Sequence, residues 1–376
     1  MQKLIVTTIL LVSFIQIMAQ DKADTNKQGI NIGNIVEMSG DWFISYRNGI
    51  EQIHADESIT EIQNLENQFL LKRSYFTLKK NLNNVFSVRY TQDLTIDTEG
   101  DDAGNIETRL KYLYLKIKPQ LESQTLTGTY IEIGMVHTPW LDFEQKINTY
   151  RVQDNMFIER NKIINSADFG VLLAGNIGPK MDNDYLKTVN DAMKGKYMSY
   201  AIGLFNGGGY SSAEKNKNKT LEGRLSFRPF AEKIPEIQLS TSFIYGKGNS
   251  EFNPDFEQYM GFVAYVGKQL TAIAQGHTGI GDFKARYTFE GHPETALKNK
   301  GYSFFTEYKI KNSPWAIWGR VDDFKVSGEK KYDTKRYITG LTYKINDYLR
   351  LVADFERNET LLEDNNIYEL NFEISF

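Results

Sequence analysis

The sequence contains no cysteine in 376 residues. That excludes disulfides, thiolate catalysis and thiolate metal sites together. Proline (8) and tryptophan (4) are scarce, and beyond residue 18 no uninterrupted apolar run approaches the ~20 residues that a membrane-spanning helix needs. If the mature chain crosses a bilayer, it must do so with strands. There is also no run of basic residues, and the formal net charge is −4, so nucleic acid is excluded as a partner. The four histidines, His54, His137, His277 and His292, are scattered without metal-ligand spacing. No serine sits in a recognisable nucleophile elbow, and no His lies near an Asp by motif. The sequence therefore assigns no catalytic residue, no metal and no cofactor, and the chain is read as a non-enzyme.

What is present points to strands. The chain has 22 Tyr and 23 Phe, residues that suit pleated segments. Mean hydropathy is −0.45. A helical membrane protein would not show that value, but a transmembrane barrel would, because alternate side chains of each spanning strand face water. Lys3, the uncharged stretch Leu4 to Met18 and the small Ala19 before Gln20 read as a signal peptide over 1–19. Loss of Lys3 with that leader takes the net charge from −4 to −5. Residues 20–40, rich in Asp, Lys, Asn and Gly, read as a polar N-terminal segment, and 41–376 as the barrel domain. The expected location is the outer membrane of a Gram-negative cell, with the lipid bilayer and lipopolysaccharide as surroundings.

From Trp42 onward the hydrophobic period is two. The final segment sets Tyr368, Leu370, Phe372, Ile374 and Phe376 on one face against Glu369, Asn371, Glu373 and Ser375 on the other. Leu349, Leu351, Ala353 and Phe355 repeat the pattern against Arg350 and Asp354. So do Phe86, Val88, Tyr90 and Leu94 against Arg89 and Asp93. Segments near 69–80, 109–118, 197–206 and 256–267 are apolar on both faces, and their orientation is left open. In all, about sixteen strands, between roughly 14 and 18, are expected, with long external loops. Aromatic residues at strand ends fit the two water boundaries of a membrane. A single open sheet of this size would leave costly unpaired edges, and closure removes them. The fold class is all-β, a transmembrane antiparallel β-barrel.

Specific stretches go further. LLKRSYFTLKKNL at 70–82, IEIGMVHTPW at 131–140, FIERN at 157–161, DFGVLLAG at 168–175, AIGLFNGGGY at 201–210, EGRLSFRPF at 222–230 and RYITGLTYKINDYLRLVADFER at 336–357 occur in this order. With them, the chain resembles the outer-membrane porins of the phosphate-selective O and P type, as a divergent member, over nearly its whole mature length. The resemblance implies passive diffusion of small hydrophilic solutes or ions through a water-filled lumen. It also implies a homotrimer, and a C-terminal aromatic, Phe376, that barrel-assembly machinery reads. Phosphate selectivity would need a ring or ladder of Arg and Lys. The residues expected to line the pore instead mix signs: Arg89 with Asp93, Glu222 with Arg224 and Arg228, Arg320 with Asp322, Arg336, and Arg350 with Asp354.

The segment from Thr138 to Ala167 is far longer than an ordinary hairpin connection. In porins similar to this one, a long loop at this place folds into the barrel and narrows it. Glu144, Lys146, Arg151, Asp154, Glu159, Arg160 and Lys162 are the constriction candidates on that reading, and the alternative is a loop lying over the rim. Pro139 and Trp140 read as a strand terminus at the membrane interface. The acidic run Asp97, Glu99, Asp101 and Asp102 lacks calcium-loop spacing and reads as an external loop. Gly207 to Gly209 read as a flexible turn. Two further functional classes stay open, a non-conducting barrel for adhesion or assembly and an outer-membrane enzyme.

Overall fold

The structure, a computed structural model, describes residues 36–55, 58–97, 103–119, 123 and 125–376. The leader, most of the polar segment and Glu99, Asp101 and Asp102 lie outside the described residues. The strands are β1 (Val36–Ala55), β2 (Ser58–Asn81), β3 (Phe86–Ile96), β4 (Ile106–Ile117), β5 (Leu126–His137), β6 (Ala167–Ile177), β7 (Met198–Phe205), β8 (Thr220–Phe227) and β9 (Ile237–Lys247). They continue with β10 (Asp255–Val266), β11 (Leu270–Ile280), β12 (Thr288–Phe289), β13 (His292–Ala296), β14 (Lys298–Lys309), β15 (Trp315–Val326), β16 (Thr334–Lys344), β17 (Leu349–Glu359) and β18 (Glu363–Ser375). Among the described residues three short α-helices interrupt them, α1 (Pro139–Ile147), α2 (Phe157–Arg160) and α3 (Asn183–Thr188), with a 3-10 turn at Lys330–Tyr332.

Sixteen of the strands form one closed antiparallel barrel, each paired with its neighbour in sequence except where the small β12–β13 hairpin intervenes between β11 and β14. Closure is made by β1 against β18. Trp42 faces Ile374, Ile44 faces Phe372 and Tyr46 faces Leu370. Beyond that ladder Gly40 N–H donates to Phe376 O at 2.8 Å, and Phe376 N–H donates back at 3.0 Å. The first and last strands thus satisfy each other's backbone groups, which no open edge could do in hydrocarbon.

The barrel is apolar outside. On β18 Tyr368 and Leu370 are exposed while Glu369 and Asn371, between and beside them, are buried. Exposed rings gather near the two ends of the wall. Trp42, Phe376, Trp315, Tyr308 and Tyr265 lie toward the end where β1 begins and β18 finishes, with most of the short turns, and Tyr245, Tyr259, Tyr302, Tyr337 and Tyr368 toward the other. Two aromatic girdles flanking an apolar band match the requirements of a bilayer and its interfaces.

Inside, the barrel is filled unevenly. Residues 138–166, between β5 and β6, run into the lumen, their neck tied by Thr138 N–H to Ser166 O at 3.1 Å. Helix α1 starts on Pro139, whose missing N–H would have had no intrahelical partner in the first turn. Its apolar face, Trp140, Leu141, Phe143 and Ile147, is buried. Trp140 and Phe143 pack on Phe262 of β10, with ring centroids 5.2 and 5.9 Å apart. Tyr150 stacks on Trp318 of β15 at 4.5 Å, and Phe157 meets His277 of β11 at 5.5 Å. One core joins these side chains to Phe256, Met260, Ile273, Phe305, Phe324, Ile338 and Val352 of the inner wall. Each such side chain taken out of water contributes ~1.5–3 kcal/mol.

This arrangement corrects the reading of Pro139 and Trp140 as a strand terminus at the interface. Pro139 opens a helix, and Trp140, 1% exposed, lies inside the barrel. It also explains the segment 256–267. Except for Gln258, the inward residues of β10, Phe256, Met260, Phe262, Ala264 and Val266, are apolar because they face protein, while outward Tyr259 and Val263 are apolar because they face away from it.

Candidate channel site: the lumen and its inserted loop

Two β-bulges supply lumen side chains that a strict period of two would not. Opposite β1, the register steps from Phe43↔Arg73 to Ile44↔Leu71, so Lys72 is an extra residue. Both Lys72 and Arg73 reach inward: Lys72 Nζ donates to Glu369 at 2.6 Å and Arg73 to Asp154 at 3.2 Å. Opposite β3, the register steps from Thr91↔Tyr112 to Gln92↔Leu110, leaving Lys111 as the extra residue. Lys111 and Tyr112 are consequently buried together, with the ammonium 4.5 Å from the Tyr75 ring centre and 3.1 Å from its hydroxyl. A bulge re-aims side chains in this way wherever one strand carries a surplus residue.

The ten wall residues singled out by sequence all point into the barrel, in two different settings. Arg320 grips Asp322 through two bonds of 2.9 and 2.6 Å and also donates to Asn155 O of the inserted loop. Arg336 donates to Asn161 Oδ1 (2.9 Å) and Arg350 to Thr149 O and Glu373. Asp354 accepts from Asn371 at 2.6 Å. These four side chains and Asp322 lie in the filled half, where they hold the loop or their neighbours. On the opposite side Asp93 accepts from Arg109 at 2.7 Å and from Tyr210 at 3.0 Å. Glu222 is buried on β8. Arg224 donates to Pro139 O and to Ser199, over the Phe143 ring at 4.2 Å. Arg228 clasps the β6–β7 connection through Gly195 O and Met193 O.

The loop residues divide likewise. Glu144 is buried and accepts from Trp140 Nε1 (2.9 Å) and Gln275 Nε2 (2.6 Å). Burial pushes its carboxyl up to about 7, against the pull of those two donors. Asp154 experiences the reverse outcome: burial works to raise it, but Arg160, Arg73 and Lys72 hold it well below the usual carboxylate range. Arg160 also donates to Glu356. Arg151 donates to Gln145 Oε1 (2.6 Å) and to Tyr75 OH (3.0 Å). Glu159 accepts from Gln145 at 3.5 Å, Lys146 pairs with Asp142 at 2.7 Å, and Lys162 sits at a turn with φ 57°.

Between the loop and the wall β2–β8 lies a cavity of about 1450 Å³ toward the end where β1 begins and β18 finishes. Arg89, Lys116, Glu132, His137, Asp142 and Arg224 line its depth, and Lys118, Lys187 and Lys194 its mouth. Space exists here because inward positions of β6 and β7 are small, among them Ala174 and Ser199. Sequence reasoning did not single out Lys72, Lys111, His137, Glu356 or Glu369. For Lys72 and Lys111 the signal was the failure of alternation at 69–80 and 109–118, where the two bulges lie, and Glu369 stood on the polar face of the last segment without being named as a site. Among the described residues no cluster of His, Asp and Glu is arranged to hold a metal.

No protein-family model matches the chain, and no curated protein matches its sequence. Its fold is similar to solved structures. The anion-selective porin from Comamonas acidovorans superposes with a TM-score of 0.58 at 8% identity, over 91% of this chain and 99% of that one. OprB of Pseudomonas putida, in its high-pH structure, gives 0.58 at 9%, over 92% and 95%. OmpF of Salmonella typhi, in complex with daunomycin, gives 0.56 at 11%, over 92% and 99%. At such identities the likeness is one of fold, and the chain has the porin-type β-barrel.

Proposed function

We propose that the protein is an outer-membrane channel for passive diffusion of small hydrophilic solutes, with its conduit confined to the β2–β8 side of the lumen. The observation that carries this reading is the polar cavity of about 1450 Å³ inside a barrel whose outer face is apolar and ringed by aromatics. The inserted loop occupies the other side and narrows the interior, so the width and charge of the remaining passage set what crosses. Of the phosphate-selective O and P type, the proposal keeps the barrel and the diffusion role. It leaves out phosphate selectivity, because Arg109, Lys116, Arg160 and Arg320 are each bonded to a carboxylate of the protein. Its setting would be a bilayer with lipopolysaccharide, reached by assembly that reads Phe376, with the homotrimer as the expected association.

The packed half of the lumen also suits a second reading, a barrel that does not conduct and acts in adhesion or assembly. Planar-bilayer recording separates the two. Stepwise ohmic conductance is the expected result, and its absence under conditions where a control porin inserts would refute the channel.

A further inference from the structure

His137 occupies the last position of β5, where the inserted segment begins, and it faces the cavity. Its Nδ1 lies 3.2 Å from Glu132 Oε2, and its Nε2 lies 3.1 Å from a terminal nitrogen of Arg89. A guanidinium only donates, so Nε2 must accept. The ring is therefore neutral in this arrangement, with its proton on Nδ1 donated to Glu132. Arg89 is further held by Thr91 Oγ1 at 3.0 Å and by the Tyr112 ring, 4.6 Å from its centre. Among the described residues no carboxylate is hydrogen-bonded to it, so its charge is held in place by neutral partners.

We propose that His137 is a proton-dependent positioning residue for Arg89, and that the conduit's preference for anions over cations changes with the protonation of its Nε2. This rests on the channel reading above. A second proton converts Nε2 from acceptor to donor, which breaks its bond with Arg89 and sets two cations side by side. The nearest acceptor is then Asp142 Oδ1 on α1, 3.9 Å away. Histidine is the side chain suited to such a change near neutral pH.

The other charged groups around the ring are already paired. On β5, Glu132 receives the ring on one oxygen and Lys116 of β4 on the other, at 3.0 Å. From β4 the Tyr112 and Tyr114 rings flank the imidazole at 4.4 and 5.3 Å. On α1, Asp142 already holds Lys146 at 2.7 Å, and Glu144 points away toward Gln275. Arg224 of β8 is engaged by Pro139 O and Ser199. Protonation thus adds one positive charge to the cavity and releases Arg89 into it. Both effects have the same sign: acid raises the preference for anions.

The test is the reversal potential in a potassium chloride gradient, at pH 8 and pH 5, for the wild type, His137→Gln, Arg89→Gln and Glu144→Gln. In the wild type the anion-to-cation permeability ratio is expected to rise about two- to threefold on acidification. Glu144→Gln removes the loop carboxyl's own titration and should keep the rise, whereas in that background His137→Gln should be flat and Arg89→Gln should respond less. A full response of His137→Gln in that background overturns the proposal while leaving the channel intact. Nitrogen NMR of histidine-labelled, folded barrel tests the geometry independently of conduction. The resonance lost in His137→Gln should report a proton on Nδ1 alone at pH 8, and a proton on Nε2 at that pH overturns the assignment even if the chain proves not to conduct.

Discussion

Replacing Trp140 with alanine tests whether the inserted loop is a fixed part of the interior. Trp140 is 1% exposed, its ring centroid lies 5.2 Å from that of Phe262, and its indole N–H is one of two donors to the buried Glu144. Truncating a buried aromatic of this size costs about 3–5 kcal/mol. Leaving Glu144 with Gln275 alone adds a further penalty of about 1 kcal/mol or more. The strand ladder does not pass through α1, so the loss falls on the docking of 138–166 rather than on barrel closure. At 1.4 kcal/mol per tenfold, even the lower figure raises the undocked population by about a hundredfold. Limited trypsin digestion of the folded protein reads this at Lys146 and Arg151. Cleavage there should accelerate about a hundredfold, single-channel conductance should rise and become noisier, and the barrel should keep its resistance to heat in detergent. Cleavage within threefold of wild type, with unchanged conductance, would refute the argument that an apolar seat holds the loop, and Trp140→Phe should recover much of the difference.

Four other outcomes follow from particular contacts. Burial raises Glu144 to about 7, so its contribution to loop docking is full below the ordinary carboxylate range and is lost as pH rises through about 7. Loop digestion should therefore speed up between pH 5 and pH 8, and Glu144→Gln should flatten that profile. Arg320→Ala leaves Asp322 buried beside no cation of its own and should cost about 3–5 kcal/mol, read as a lower thermal midpoint. Replacing Gly340 with alanine brings a Cβ to within 2.4 Å of the Trp318 ring, which is pinned by Tyr150. A loss of about 1–3 kcal/mol is expected in the same assay. Phe376→Ala removes a half-exposed ring that sits over Gly40 and makes an edge-to-face contact with Trp42, the latter worth about 0.5–1.5 kcal/mol. If the C-terminal ring is an assembly signal, the membrane-inserted fraction in cells should fall well beyond what that small loss predicts.

How much of this was legible in the sequence depends on what each strand faces. β18 could be read without ambiguity, because its inward Glu369, Asn371 and Glu373 lie among polar partners while Tyr368 and Leu370 face outward. Sixteen strands and the closure of Trp42 onto the C-terminal segment emerge from the same alternation. β10 could not be oriented, since apolar residues on both faces satisfy two different apolar surroundings. The length of 138–166 marked a long connection, but nothing in its period revealed that α1 and α2 carry the complementary face of the β10–β17 wall. The bulges at Lys72 and Lys111 were hidden for a related reason: one surplus residue reverses the face of everything beyond it. The small β12–β13 hairpin and α3 gave no distinct pattern either.

The failure of alternation on β10 has a physical origin that bears on what the barrel does. A water-filled lumen requires polar residues around its whole inner circumference, whereas on β10, β11 and β14 to β17 this chain interleaves inward polar residues such as Gln275, Arg320 and Arg336 with large apolar ones. The inner faces of β10, β11 and β14 to β17 carry Phe262, Ile273, Phe305, Trp318, Phe324 and Ile338, which would be unfavourable against water and are covered by the loop. The inserted segment is therefore as much core as constriction. Removing it would expose a broad apolar surface inside the barrel, so a deletion of 140–164 should yield a collapsed or aggregated product in place of a wider channel. Recovery of a folded, highly conducting deletion variant would show that the apolar half of the wall does not need its cover.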